Sequence, residues 1–215
     1  MGSTSEAEVS AIQFLPAHAT MTSLREAARD CRGCPLYRDA TQTVFGAGSR
    51  HARVILVGEQ PGNDEDLQGR PFVGPAGRVL DEALVAAGIV RDETYVTNVV
   101  KHFKFTMKGK RRMHKKPGAR EIAACLPWLE KEIETVRPDV LVCLGATAAQ
   151  ALLGRDFSVT REHGRVLSSS FAPHVLATAH PSAVLRQRGK DQRQRALEQM
   201  IEDLKAVPRL LAGER

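Results

Sequence analysis

No run of apolar residues in this sequence approaches the roughly 18 that a membrane span requires, so a membrane-crossing helix is not expected. The N-terminus lacks a basic stretch followed by an apolar run, the pattern of a secretory signal, and the chain is read as cytoplasmic. No Walker phosphate loop is present, and no Gly-x-Gly-x-x-Gly follows a strand, which removes the two commonest nucleotide-binding readings. There is no internal repeat and no low-complexity tract. Cysteine is limited to four residues, at 31, 34, 125 and 143, and in a chain read as cytosolic the Cys31-x-x-Cys34 pair suggests metal rather than disulfide. What is present is ordinary in bulk: 215 residues, 42% hydrophobic and 26% charged, enough for one globular domain with a sizeable core. Residues 1–20 read as a loose tail and 21–215 as the single domain.

Charge becomes informative once it is located. Lys101, Lys104, Lys108, Lys110, Arg111, Arg112, Lys115 and Lys116 fall within one segment that contains no acid. Outside it, the sequence's 31 Lys and Arg drop to 23, against 25 Asp and Glu. One loop therefore accounts for the formal net charge of +6. A solvated, mobile loop is the plain reading of such a run. With Phe103 and Phe105 interleaved, it points instead to a localised contact with a polyanion.

Hydrophobic patterning organises the rest. Ser23-Leu24-Arg25-Glu26 reads as a capping box opening a short helix that delivers Cys31 and Cys34. Strands are expected at Arg53 to Val57, Thr94 to Val100, Asp139 to Leu144 and His174 to Thr178. Helices are expected from Ala76 to Ala87, from about Ala119 to Val136 with re-initiation at Pro127, from Ala146 to Leu153, and from Gln192 to Val207. The Gly- and Pro-rich stretch from Gly58 to Pro75 and the basic segment read as irregular. Alternating strands and helices predict a three-layer α/β/α sandwich with a central, mostly parallel four-stranded sheet. Ligands in such folds bind at the carboxyl ends of the strands, where Glu59-Gln60-Pro61-Gly62, Asn98 and His180-Pro181-Ser182 all fall.

Four strings carry a resemblance: GEQPGNDEDLQGRPFVGPAG at 58–77, VTNVVK at 96–101, KRRMH at 110–114 and HPS at 180–182. Together they resemble the uracil-DNA glycosylase superfamily, in its iron-sulfur branch and, within that, the X-type group that bonds covalently to uracil-DNA. The likeness runs from about residue 24 to 206. A glycosylase extrudes the target nucleotide into a pocket and cleaves the bond between C1′ of deoxyribose and N1 of the base. It needs a ring to stack on uracil, an amide to read its edge, donors for the developing anion, and a group to take C1′.

The resemblance implies that Phe72 stacks, Asn98 reads the uracil edge and His180 donates to the uracil oxygen. Without it, Phe72 would serve as a core ring, Asn98 as a strand-end cap and His180 as a structural histidine. Backbone amides near Gln60 and Gly62 would add anion stabilisation, and Ser182 and Arg186 would meet phosphate at a helix start. In the X-type group the His of the matching Lys-Arg-Arg-x-His string attacks C1′ in place of water. Here that residue is His114, flanked by Lys110, Arg111 and Arg112, whose charges would disfavour imidazolium and hold phosphates. Glu59 would be the acid-base partner, and the Gln60 amide would orient the imidazole and displace the hydrolytic water.

Cys31-x-x-Cys34 by itself suggests zinc or an iron-sulfur centre. By resemblance the centre is a 4Fe-4S cluster held by Cys31, Cys34, His102 and Cys125, with mixed Cys/His ligation for which there is chemical precedent. Cys143 lies inside the apolar run VLVCL and reads as a small buried hydrophobe, the alternative being that it is the fourth ligand in place of His102. The expected partner is uracil-containing DNA, single-stranded by preference, bound by a monomer with no membrane association. Two rivals stay open: a hydrolytic glycosylase that turns over, and a non-catalytic iron-sulfur DNA-binding protein.

Overall fold

The computed structural model of the protein describes residues 10–213. Its order along the chain begins with α1 (Met21–Arg29), β1 (Ala47–Gly48), β2 (Val54–Gly58), α2 (Asn63–Gln68), α3 (Pro75–Ala86) and β3 (Thr94–Asn98). A hairpin of β4 (Phe105–Lys108) and β5 (Arg111–His114) follows, then α4 (Ala119–Val136), β6 (Val140–Leu144), α5 (Ala146–Leu153) and α6 (Val159–Glu162). The chain ends with β7 (His174–Thr178), α7 (Pro181–Leu185), α8 (Lys190–Leu204) and α9 (Ala206–Leu211). The main sheet has the order β1-β3-β2-β6-β7. Strands β3, β2, β6 and β7 are parallel, and β1 pairs antiparallel with β3 at the edge.

Side chains alternate cleanly between the two faces of the sheet, because successive strand residues point to opposite sides. Ile55, Val57, Tyr95, Leu141, Cys143, Val175 and Ala177 join the core under α1, α4 and α5. Val54, Leu56, Val96, Val140, Val142, Leu144 and Leu176 join the other, under α3, α8 and α9. Burial on both faces explains why these strands read as unbroken apolar runs. The sandwich is therefore as expected, with β1 as a fifth strand too short to leave a sequence signal.

Several boundaries differ from expectation. Thr20, not Ser23, caps α1: Ser23 Nα donates to Thr20 Oγ1 at 3.1 Å, and Thr20 Nα to Ser23 Oγ at 2.9 Å. The Gly58–Pro75 stretch contains α2, capped by Glu65, whose carboxylate accepts from Gly62 Nα at 3.1 Å and from Gly74 Nα at 3.0 Å. The basic segment forms a hairpin instead of an irregular loop, in the register Phe105 opposite His114 and Lys108 opposite Arg111. Helix α4 runs without interruption through Pro127, since Trp128 and Leu129 are fully buried beside it. Their burial outweighs the roughly 3 kcal/mol that an interior proline costs. Of the tail expected over residues 1–20, Ala11 is fully buried in a one-turn helix from Ala11 to Phe14, and residues 1–9 lie outside the described residues. Among the described residues, no helix is long and apolar enough to cross a membrane.

One close approach ties the core to the upper edge of the sheet. A Cβ on Gly77, in the first turn of α3, would lie 1.8 Å from the carbonyl oxygen of Phe72. Phe72 itself holds φ at 55°, a left-handed conformation that is uncommon for a bulky residue. Gly77→Ala is expected to destabilise the fold by about 1–3 kcal/mol through overpacking, measurable as a lower urea midpoint. An unchanged midpoint would show that the Phe72 loop yields freely.

Candidate active site

The parallel register sets Gly58, the last residue of β2, beside Asn98, the last of β3. A Cβ on Gly58 would fall 2.3 Å from Asn98 Oδ1 and 2.7 Å from the Phe72 ring, so glycine there leaves room for both groups to converge. Asn98 is 2% exposed, and its Oδ1 is a buried oxygen with no hydrogen-bond partner. Such an orphan carries a desolvation cost unless a ligand supplies a donor. The Phe72 ring lies 5.9 Å from that of His180, which caps α7. An aromatic ring, an imidazole and an unsatisfied amide oxygen therefore come together at the carboxyl ends of the strands, where this fold class binds ligands.

The tautomer of His180 follows from its contacts. Ser182 Nα donates to His180 Nδ1 at 3.1 Å, so Nδ1 is the acceptor and the proton sits on Nε2. Burial, reinforced by Arg186 and His114, pushes the His180 pKa down to about 4. The ring is thus a neutral donor. Arg186 Nη1 donates to Ser182 Oγ at 2.9 Å, which occupies part of the expected phosphate-binding pair within the protein.

His114 ends β5 with its side chain half exposed and Nε2 3.5 Å from Glu59 Oε1. Burial lowers its pKa, Glu59 raises it and Arg186 lowers it, with a net downward shift that keeps a neutral imidazole at neutral pH. The second carboxylate oxygen of Glu59 accepts from the Thr147 hydroxyl at the start of α5. Sequence reading missed Thr147, since a Thr in the first turn of a helix carries no distinguishing pattern.

Gln60, expected to help orient the imidazole, makes its hydrogen bonds to main-chain groups at the base of the hairpin. Its Nε2 donates to the carbonyls of Lys104 and Lys115, each at 3.1 Å, and its Oε1 accepts from Lys104 Nα at 3.2 Å. The amide clamps the base of the hairpin and so acts on His114 through the backbone. Gly62 departs from expectation: its N–H is taken by Glu65 and is not free for an anion. Arg112 turns inward. Its Nη1 donates to the fully buried Asp66 at 2.7 Å and its Nε to Asn63 at 2.9 Å, while the guanidinium stacks 5.1 Å from the Phe105 centroid. Asp66, also missed, thereby anchors the hairpin to α2. Lys104 pairs with Glu121 at 2.6 Å, whereas Lys110 and Arg111 stay exposed at the hairpin tip.

Residues 45–205 match the family description "Uracil DNA glycosylase superfamily". The chain belongs to that superfamily. Curated relatives include a type-4 uracil-DNA glycosylase of Thermotoga maritima, 38% identical over 83% of this chain and 90% of the relative. Another type-4 uracil-DNA glycosylase, from Archaeoglobus fulgidus, is 38% identical over 77% of this chain and 84% of the relative. A type-5 uracil-DNA glycosylase of Pyrobaculum aerophilum is 32% identical over 69% of this chain and 71% of the relative.

In this superfamily member the cysteines divide into two sets. Cys31, Cys34 and Cys125 are buried; burial chiefly raises the pKa of Cys34, with Cys31 adding to it, and raises that of Cys125 to about 12, with Cys34 and Cys31 adding to it. Trp128 Nε1 donates to Cys31 Sγ at 3.2 Å and Lys101 Nα to Cys125 Sγ at 3.3 Å. His102, 4% exposed, stands at the margin: its Nε2 meets the Thr43 hydroxyl at 2.9 Å, and that hydroxyl donates to Ala28 O, which also accepts from Cys31 Nα. With the hydroxyl proton committed to Ala28, His102 Nε2 is the donor and Nδ1 is left with a free lone pair. Cys143 is buried in β6, where burial alone raises its pKa to about 12. Among the described residues, no group of three His, Cys, Asp or Glu stands ready to hold a single metal ion.

The neutral His180 has a consequence for stability. Its folded pKa of about 4 lies below the ordinary 6.5, so between those values the unfolded chain binds a proton that the folded chain refuses. This contribution is complete above pH 6.5 and is lost as the pH falls toward 4. Urea midpoints of a His180→Asn protein are expected to vary less with pH across that window than those of the wild type. Identical slopes would assign the acid sensitivity elsewhere.

Proposed function

We propose that this protein excises uracil from DNA and captures the resulting abasic sugar covalently on His114. The observation that carries this reading is the position of His114: a neutral imidazole on a clamped hairpin, 3.5 Å from Glu59. Uracil would enter between Phe72 and the strand ends, with the orphaned Asn98 Oδ1 accepting from the uracil N3–H. His180 Nε2–H would donate to a uracil oxygen as the C1′–N1 bond breaks and its electron pair leaves with the base. A lone pair of the His114 imidazole would then bond to C1′. Its second ring nitrogen would release a proton to solvent, and the Glu59 carboxylate would offset the positive charge that develops on sugar and ring. The names of the relatives support uracil excision, and the hairpin geometry supports capture over release to water.

The donor set fits an iron-sulfur cluster. Cys31, Cys34 and Cys125 are buried in one core cluster, N–H donors point at two of their sulfurs, and His102, linked through the Thr43 hydroxyl to the carbonyl that Cys31 Nα meets, keeps a lone pair on Nδ1. Cys31, Cys34, Cys125 and His102 would hold a 4Fe-4S cluster, which when bound would supply a rigid cross-link between α1, the segment after β3 and α4. Bound DNA would be single-stranded, taken by a monomer in the cytoplasm, with its phosphates on the exposed cations of the hairpin.

Denaturing electrophoresis after mixing with a uracil-containing single-stranded oligonucleotide is expected to show a heat-stable adduct that His114→Ala abolishes. Free abasic product without an adduct would favour the hydrolytic reading. Absence of any reaction would favour a binding protein. Lys110→Ala and Arg111→Ala are each expected to lower the salt dependence of DNA binding by about one counterion. Arg112→Ala should leave that slope unchanged and slow adduct formation, because Arg112 holds the hairpin and not phosphate. A slope change for Arg112→Ala equal to that of Arg111→Ala would contradict this.

A further inference from the structure

A charged pair that the chemistry above does not use lies directly beneath Asn98. Lys101 is 1% exposed and Glu132, from the middle of α4, is 0% exposed. The ammonium group spends all three of its hydrogens, on Glu132 Oε2 at 2.5 Å, Thr97 Oγ1 at 2.7 Å and the main-chain carbonyl of Asn98 at 2.7 Å. Glu132 is saturated in turn: Oε1 accepts from Gly46 Nα at 2.9 Å and from the Tyr95 hydroxyl at 2.8 Å, and Oε2 from Thr97 Oγ1 at 2.9 Å.

Stability alone does not account for such a pair, because a well-packed apolar replacement of similar volume is often neutral or better. Its geometry shows what it adds. The Asn98 carbonyl is gripped from below by a charge-assisted hydrogen bond, while the Asn98 side-chain oxygen above is left without a partner. Residue 101 is itself pinned through its main chain: its N–H meets Cys125 Sγ and its carbonyl accepts from Val44 Nα at 2.8 Å. A rigid support below an unsatisfied amide is the arrangement that pre-organises a recognition group.

We infer that the buried Lys101–Glu132 pair is a positioning device for Asn98, holding the peptide of the uracil-reading residue so that its amide meets the base in one orientation. This rests on the uracil-excision reading. The pair touches neither base nor sugar and acts only through Asn98. Thr97 links the two charges as acceptor from one and donor to the other.

The test uses the double variant Lys101→Met/Glu132→Gln, which is one atom shorter at 101 and isosteric at 132, retains an acceptor for Gly46 and Tyr95, and leaves no lone buried charge. Single-turnover uracil release is measured against DNA concentration, alongside inhibition by free uracil and the visible absorption of the purified protein. The maximal rate is expected to fall on the order of a hundredfold, as for a misplaced positioning group. The half-saturating DNA concentration should stay as in the wild type, because the hairpin cations set it, and free uracil should inhibit more weakly. Visible absorption should be unchanged, since Lys101 meets Cys125 through its main chain. Thr97→Val, which keeps both charges paired, is expected to show the same split to a smaller degree, and it serves if the double variant does not fold. An unchanged maximal rate in the folded variants would overturn the inference. So would a parallel change in rate and half-saturation, or a loss of the visible absorption. A wild-type protein that releases no uracil would instead sink the functional reading itself.

Discussion

The parallel pairing of β2 with β3, Val54 against Thr94 through Gly58 against Asn98, is the constraint from which the site is assembled. It extends past the strands, with Val99 Nα donating to Gly58 O and Val100 Nα to Glu59 O. Two segments that are far apart in sequence are thereby held side by side for several residues beyond the sheet. Glu59 and Gln60 on one and Asn98 and Lys101 on the other then have fixed relative positions. A slip of one residue in this register would turn each strand's side chains to the opposite face and scatter the motif.

Charge within the basic segment divides by depth. Lys101 goes to Glu132, Lys104 to Glu121 and Arg112 to Asp66, three cations neutralised by acids that lie elsewhere in sequence. The exposed remainder clusters along the hairpin and its exit, so the polyanion-facing surface is narrower than the string of eight suggests. The inward cations build the hairpin, and the outward ones stay exposed for the proposed contact with DNA. Arg112 combines an ion pair with stacking on Phe103 and Phe105, which makes the hairpin a rigid arm in place of a mobile loop.

Neutral imidazoles are the second common element. His114 and His180 both have pKa values lowered chiefly by burial, each also feels Arg186, and neither needs to be imidazolium for its proposed part. A main-chain N–H fixes the His180 tautomer and a nearby carboxylate meets His114, so the two rings stand in different settings, as the proposed division into donor and nucleophile requires. That difference arises from the partner of each ring and not from the residue type.

The sequence by itself determined the layered fold, because strands buried on both faces must be continuously apolar and helices between them must carry the crossovers. It also determined which residue types stand at the strand ends, since the motif strings and the strand boundaries coincide there. The tertiary structure alone decided how those residues are used. Gln60 spends its amide on the Lys104 and Lys115 backbones and Arg112 folds onto Asp66, neither of which local spacing can show. Thr147, Asp66 and the Lys101–Glu132 pair went unnoticed for the same reason. A polar side chain reveals its role through the partner that satisfies it, and these partners lie 31 to 88 residues away along the chain.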